Sequence, residues 1–352
     1  MYNQWAPSRV KRVEWEAAFV GVVSYLGRFQ RQHEVKKLGS SQRNRRSDYI
    51  SQPNYLMTYT IPSYTVQPGS VYQPNPISAG DFPIDFLSAN VVGCWSTRRL
   101  LSTGSGNIIR GRDATTNEQD FTGAGYPAGV VTLASGGDAF CPQLYDQSGN
   151  GNHATQAVAA NQPKGVNAGS LIVDASGRPV MEFESSDLLV VPDNADLSFT
   201  NGSNDLPFSI CFYYYHTAGA STTIPFAKAT GTSIGEYYAA VAGGNMIIRL
   251  IDNSAGVYIG RLCSIGAGFD FYAITYDGSS LAGGIKIYIN GVLQSLISEI
   301  SASYVGMENT STDFYIGSRG PTSATVMDAS DFSAFNKELS QAEVTQLYNA
   351  LA

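Results

Sequence analysis

The sequence predicts an all-β protein: an antiparallel jelly-roll β-sandwich with a short C-terminal helix and an extended or helical N-terminal arm. Three observations predict it. Of 352 residues, 36 are Gly and 15 Pro while only 14% are charged, a composition rich in turns. Tyr (21) and Phe (16) are abundant, and aromatic and β-branched residues suit the pleated, half-buried surface of a strand. From Phe86 onward, short apolar runs follow one another between turn dipeptides, with a helical pattern only near the end.

Twelve strands are expected, at Val91–Trp95, Ile108–Arg112, Gln143–Tyr145, Val180–Phe183, Leu188–Val191, Phe208–Tyr215, Tyr237–Val241, Met246–Ile251, Gly256–Gly260, Phe269–Tyr276, Gly284–Ile289 and Asp313–Ile316. Asn290-Gly291 suits the positive-φ positions of a type I′ hairpin turn, Gly243-Gly244 is a turn signal, and Asp277-Gly278 is expected to form a hairpin turn between two apolar runs. Ser340 is placed to cap a helix over Gln341–Ala350, with Glu343 completing a capping box. Val344, Leu347, Tyr348 and Leu351 share one face of that helix. At 43% hydrophobic content the chain can build a core.

Charge divides the chain. Residues 1–46 carry ten Lys/Arg and three Glu, a net +7, which leaves −14 for the remainder of a chain whose total is −7. The acidic body argues against nucleic-acid binding there, which needs clustered cations. The basic segment admits two readings: a helix around Val13–Leu38, with Trp15, Ala18, Phe19, Val22, Leu26 and Phe29 at three- and four-residue steps, or an arm that orders only against a partner. Residues 47–84 are rich in Tyr, Pro, Ser and Gln. Pro53, Pro62, Pro68, Pro74 and Pro76 block central-strand pairing, so an extended connector is expected. The sandwich is expected over residues 85–352. Glu14 and Glu16 interrupt what would otherwise mimic a signal peptide, no small-residue cleavage site follows, and no run reaches membrane-helix length. Cys94, Cys141, Cys211 and Cys263 are widely spaced without a CxxC pattern, so reduced core residues are expected rather than a zinc site.

Two sets of motifs carry a resemblance. VGCWSTRRLL (92–101), IIRGRDATTNEQDF (108–121), LYDQSGNGNHATQ (144–156) and NQP (161–163) resemble the opening of the catalytic domain of fungal-type α-L-arabinofuranosidase B enzymes. AITYDGS (273–279), IYINGV (287–292), YIGS (315–318) and FNKELSQAEVTQLYNA (335–350) are similar to laminin-G-like, pentraxin-like sandwiches of the concanavalin A superfamily. Together they cover about three quarters of the chain. The joint pattern resembles lectin-like domains of tailed-phage virion proteins. It departs from the enzymes in lacking adjacent cysteines, in leaving no room for the arabinose-binding domain that follows in them, and in offering no motif onto which catalytic carboxylates can be carried.

Retaining cleavage of a furanoside needs two carboxyls about 5–5.5 Å apart. Glu182, Glu184, Glu236, Asp252 and Asp270 lie in strand-like contexts. Glu236 stands out if the protein is an enzyme, because GEYY sets a carboxylate beside two tyrosines. As an ordinary strand-end acid it would face water. Tyr213, Tyr215, Tyr237, Tyr238 and Glu236 are the candidate glycan contacts, with one set of tyrosines expected in the core because strand neighbours face opposite ways. Asp146, Asn150 and His153 belong to a glycine-relieved loop closed by an Asx-turn. No cofactor is required. The superfamily's frequent Ca²⁺ would find oxygens at Asp193, Asn194 and Asp196, which equally suit turn capping.

The function expected is that of a bacteriophage virion protein of the tail, a fibre or a head appendage. Its residues 1–84 would dock on other virion proteins and its sandwich would bind host-surface polysaccharide, as a homo-oligomer, a trimer in the phage-fibre case, and without a membrane partner. A retaining glycosidase and a purely structural decoration protein are the alternatives.

Overall fold

A computed structural model of the chain describes residues 82–104, 106–216, 222–300 and 303–352. The basic arm and nearly all of the connector lie outside these residues. After a 3-10 turn over Asp85–Asn90, the strands are β1 Val91–Trp95, β2 Ile109–Asp113, β3 Glu118–Phe121, then helix α1 Tyr126–Ala134, β4 Ala139–Leu144, β5 Ala154–Thr155, β6 Lys164–Asn167, β7 Ser170–Leu171, β8 Met181–Phe183 and β9 Leu189–Val191. The second half holds β10 Phe208–His216, β11 Thr223–Ala229, β12 Gly235–Ala242, β13 Asn245–Asp252, β14 Val257–Ser264, β15 Gly268–Tyr276, β16 Ile285–Ile289, β17 Val292–Leu293, β18 Ile297–Ile300, β19 Phe314–Ile316, β20 Met327–Phe335 and helix α2 Gln341–Leu351.

Every pairing between these strands is antiparallel. One layer runs β17-β16-β15-β10-β20, with β1 and β8 sharing the far edge of β20. The facing layer runs β18-β14-β13-β12-β11-β19-β9. A smaller sheet of β2, β3, β4, β6 and β7, backed by α1, joins the first layer through β8 and the second through β5. The chain is thus an all-β antiparallel sandwich.

Aromatic side chains weld the layers. Phe212 on β10 meets Phe226 on β11 with ring centres 5.5 Å apart, and Phe226 stacks on Phe314 of β19 at 6.0 Å. Trp95 also stacks on Phe314, at 5.5 Å, and donates its indole N–H to the Asn152 carbonyl at 2.6 Å. Such edge and offset pairs add about 0.5–1.5 kcal/mol each beyond area burial. Gly93 is what lets Trp95 lie flat on its own strand, because a Cβ there would stand 2.3 Å from Trp95 Cη2.

A second apolar cluster lies on the outer face of the first layer. Val344, Leu347 and Leu351 of α2, with Ile84, Leu87, Leu100 and Leu101, cover Cys94, Cys211, Tyr213, Phe271 and Phe335. The expected capping box of α2 is complete: Ser340 Oγ accepts from the Glu343 N–H and the Glu343 carboxylate accepts from the Ser340 N–H. All four cysteines are free and buried. Burial pushes their thiols upward, Cys263 to about 11.

Most expected strands lie within a residue or two of their predicted bounds, and Asn290 (φ 50°) and Gly291 (φ 77°) form the two-residue turn between β16 and β17. Asp277-Gly278 does lie in a hairpin connection, since β15 and β16 pair antiparallel from Tyr276 opposite Ile285, but the loop is longer than a two-residue turn. The connection from β15 to β16 runs through Asp277–Leu281 and a 3-10 turn at Ala282–Gly284. Strand β11 is absent from the prediction because Pro225 and Lys228 disguise it. Pro225 is tolerated at a register break between Thr223 and Phe226. Strand β20 is also absent from the prediction, although it is central, because MDASDFSAF places Asp and Ser where a buried strand should be apolar. Helix α1 was hidden by Gly129 and two valines, but buries Tyr126, Val130 and Ala134 at four-residue steps.

Candidate functional site

Three side-chain constellations could carry chemistry. The first is built on β11 and β12. Lys228 is fully buried, and its ammonium donates to Asp193 Oδ1 at 2.5 Å and the Thr312 carbonyl at 2.6 Å, with Glu236 Oε1 at 3.4 Å. Glu236 Oε1 also accepts from Ser198 Oγ (3.1 Å), Thr310 N–H (3.0 Å) and Thr310 Oγ1 (3.1 Å). Its Oε2 is buried without a hydrogen-bond partner among the described residues. Burial outweighs Lys228 and the hydrogen bonds, and lifts the Glu236 carboxyl to about 7. Glu236 is 0% exposed, which corrects the expectation of a solvated strand-end acid. Gly235 explains the approach: at φ 116° its backbone passes so close to β11 that a Cβ would sit 2.4 Å from Ala229 Cα.

The cluster also engages two of the oxygens considered for Ca²⁺. Asp193 Oδ1 is taken by Lys228, and Asn194 Oδ1 accepts the Asp196 N–H to cap the 3-10 turn Ala195–Leu197. A dication there would meet an ammonium at 2.5 Å from one of its own ligands. Among the described residues no group of three His, Cys, Asp or Glu could hold a metal ion.

The second constellation lies under β20. Asp331, buried and at φ 56°, sits where β10 and β20 break register between Cys211 and Tyr213. Its carboxylate accepts from Ser96 Oγ (2.5 Å) and from Arg98 Nε and Nη2 (3.1 and 2.6 Å). Arg98 opposes desolvation strongly enough to hold this carboxyl below the usual range. Arg178 lies 3.6 Å above the Tyr213 ring. This is a structural knot that ties β1 to β20.

The third is a cleft of about 400 Å³ between the 99–107 segment and the 145–153 loop. The loop is held from below. Asp146 Oδ1 accepts from the Cys94 and Ser148 N–H groups (both 2.9 Å), and Oδ2 from Ser148 Oγ (2.6 Å) and the Asn152 N–H (3.1 Å). Asn150 and Asn152 Nδ2 donate to the Val92 carbonyl at 3.2 and 2.8 Å. Gln147 spans Leu100 N–H and Arg98 O at 2.8 and 2.9 Å. Gly149 (φ 91°) and Gly151 (φ 81°) allow the tight path. His153 Nδ1 accepts the Asp146 N–H at 3.0 Å, so a neutral ring carries its proton on Nε2. Tyr145 packs edge-on to His153 at 5.2 Å, and its hydroxyl is fixed by Asp120 (2.8 Å) and Arg110 (2.9 Å).

The predicted contacts are dispersed by these facts. Tyr237 is in the main core and donates to the Leu197 carbonyl at 2.8 Å. Tyr213 is buried under the Arg178 guanidinium, and Tyr238 is buried on the outer face of the second layer beside Arg249 and Arg319. As placed, none of these three rings can lie flat on a sugar; alternation put each against protein. Tyr215, at 42%, is the exposed one. Asp252 and Asp270 serve turns, accepting from Ala255 and Val305 N–H and from Asn290 Nδ2. Glu184 pairs with Lys164. Asp146, Asn150 and His153 do converge in one loop. Arg99, which faces it, was visible only as part of STRRLL.

No family model matches the sequence, and no curated protein matches it. Solved structures share the fold. An arabinofuranosidase complexed with arabinofuranosyl-α-1,2-xylobiose aligns with TM-score 0.56 at 16% identity, over 77% of this chain and 64% of that one. An α-L-arabinofuranosidase soaked with a cyclic sulfate inhibitor gives TM-score 0.57 at 16% identity over the same shares. A botulinum neurotoxin serotype D/C binding domain gives 0.41 at 16% identity, over 59% of this chain and 50% of that one. This chain therefore spans less than two thirds of the length of each of these proteins. What the two enzymes share with it is the sandwich.

Proposed function

We propose that the chain is a carbohydrate-binding sandwich carried on the surface of a phage particle. The observation that carries the binding half is the cleft beside the 145–153 loop. There a fixed aromatic ring, an imidazole, a guanidinium and glycine backbone converge on rigid support, the small set of directed polar groups around an aromatic wall that sugar recognition uses. The attachment half rests on the sequence: the charge split at residue 46, the Pro/Tyr connector and the resemblance to phage lectin-like domains. In this reading residues 1–84 bind other virion proteins, and a homo-oligomer, trimeric in the fibre case, presents several clefts at once.

Binding of the full-length protein to an array of bacterial surface polysaccharides tests the first half. Retention of at least one glycan, lost on Tyr145→Ala in a variant that still unfolds cooperatively, is expected. Silence across the array sinks the reading and leaves a decoration role. Cryo-EM of particles, with residues 1–84 seated on a neighbouring protein, tests the second half.

A second reading has one observation in its favour: Glu236 is a carboxyl near 7 with Asp193 bridged to it by Lys228. Perturbed carboxyls of this kind mark glycosidase acids. Against it, Glu236 is closed to solvent. Release of reducing sugar that disappears in Glu236→Gln would replace the binding reading with a hydrolytic one.

A further inference from the structure

The polar groups of the 145–153 cleft are unequal in kind. Among the described residues Asp146 is the only acid in its lining, and four donors already occupy its oxygens: three backbone N–H groups and the Ser148 hydroxyl. The Tyr145 hydroxyl is likewise consumed, donating to Asp120 and accepting from Arg110. Of the side chains that remain, Arg99 and His153 offer only donors, while Thr103 and Asn107 can both donate and accept. Arg99 spends Nη2 on the Gly106 carbonyl, and among the described residues no carboxylate pairs with it. His153 presents Nε2–H because its Nδ1 is committed to the Asp146 N–H. Asn107 adds an exposed amide to the rim.

A neutral sugar hydroxyl both donates and accepts, and between Arg99 and His153 its own O–H finds no acceptor. A carboxylate only accepts, and a guanidinium recognises it with a fork of parallel N–H groups. On the carbohydrate-binding reading above, we infer that the cleft selects an acidic sugar, its carboxylate held between Arg99 and His153 and its ring against Tyr145. The net −14 of the chain beyond residue 46 repels a polyanion at long range. Selection must therefore come from these short contacts, which ionic strength screens less than the surrounding field.

The test uses the full-length protein and calorimetric titration with oligosaccharides of galacturonate, glucuronate and mannuronate, each beside its carboxyl-methylated form. The ester keeps the sugar and removes the charge. At least one acid form is expected to bind ten-fold or more tightly than its ester, and Arg99→Gln is expected to erase that difference. A cooperative unfolding transition at the wild-type midpoint establishes that this variant is folded. Arg99→Lys, which keeps charge without the fork, should recover part of the preference. Equal affinity for acid and ester overturns the acidic-sugar inference while the carbohydrate reading stands. Absence of binding to every acid form overturns the inference too, and the neutral polysaccharides of the array then decide whether the carbohydrate reading falls with it.

Discussion

Replacing Glu236 by Gln should remove a pH dependence from the stability of the sandwich. In the folded protein the Glu236 carboxyl titrates at about 7 instead of the ordinary 4.5, burial being the main cause. Between these values the native state holds a proton that the unfolded chain has released, so stability falls as pH rises through the window and is level on either side. At about 1.4 kcal/mol per pH unit, the full drop attributable to this one group is about 3 kcal/mol. Gln keeps the shape and can still accept from Ser198 and Thr310, and it stays neutral throughout. Lys228 keeps Asp193 and the Thr312 carbonyl. Urea unfolding followed by near-ultraviolet circular dichroism at pH 5, 6, 7 and 8 measures the difference. The two proteins should differ by less than about 1 kcal/mol at pH 5, and the Gln variant should be the more stable by up to about 3 kcal/mol at pH 8. A difference that does not change with pH, or a Gln variant that is weaker at pH 8, refutes the account of a carboxyl destabilised by its own burial.

Other expectations follow from the same geometry. Gly235→Ala should cost about 1–3 kcal/mol, because both its φ of 116° and a 2.4 Å clash with Ala229 oppose a side chain; a denaturation midpoint equal to wild type would contradict this. Asp331→Ala, which removes the buried carboxylate that accepts from Ser96 and Arg98, should cost about 3–5 kcal/mol, measured in the same way. Ser340→Ala should cost about 1 kcal/mol through loss of the α2 cap. A thiol reagent at neutral pH should label none of the four cysteines in the native protein and all four in urea.

Strand positions were legible where one face is apolar and the ends carry turn chemistry. Asn290-Gly291 and the Ser340–Glu343 box are local instructions that tertiary context had no reason to override. Legibility failed where a residue's partner is distant. Asp331 reads as a loop residue until Arg98 and Ser96, more than 230 positions earlier, are brought beneath it. Lys228 reads as a surface cation until Asp193 and Glu236 enclose it. The tyrosines failed for a related reason. Alternation says that Tyr213 and Tyr215 share a face, but not that α2 and the segment around Leu100 roof over one half of it. The cleft was half legible: its loop stands out in the sequence, while Arg99 acquires meaning only through the fold that sets it opposite.

Strand β20 lies between β10 on one side and β1 with β8 on the other. During synthesis, then, β1 waits for a mate some 240 residues behind it on the ribosome, and the middle of its layer is filled only when β20 emerges. Until Phe335 has emerged, β1 and β10 offer open backbone to any neighbouring chain. A product cut short before Met327 is therefore expected to aggregate rather than to fold as a smaller sandwich. Folding at low temperature or in the presence of a holdase should raise the yield of the whole protein more than that of any fragment.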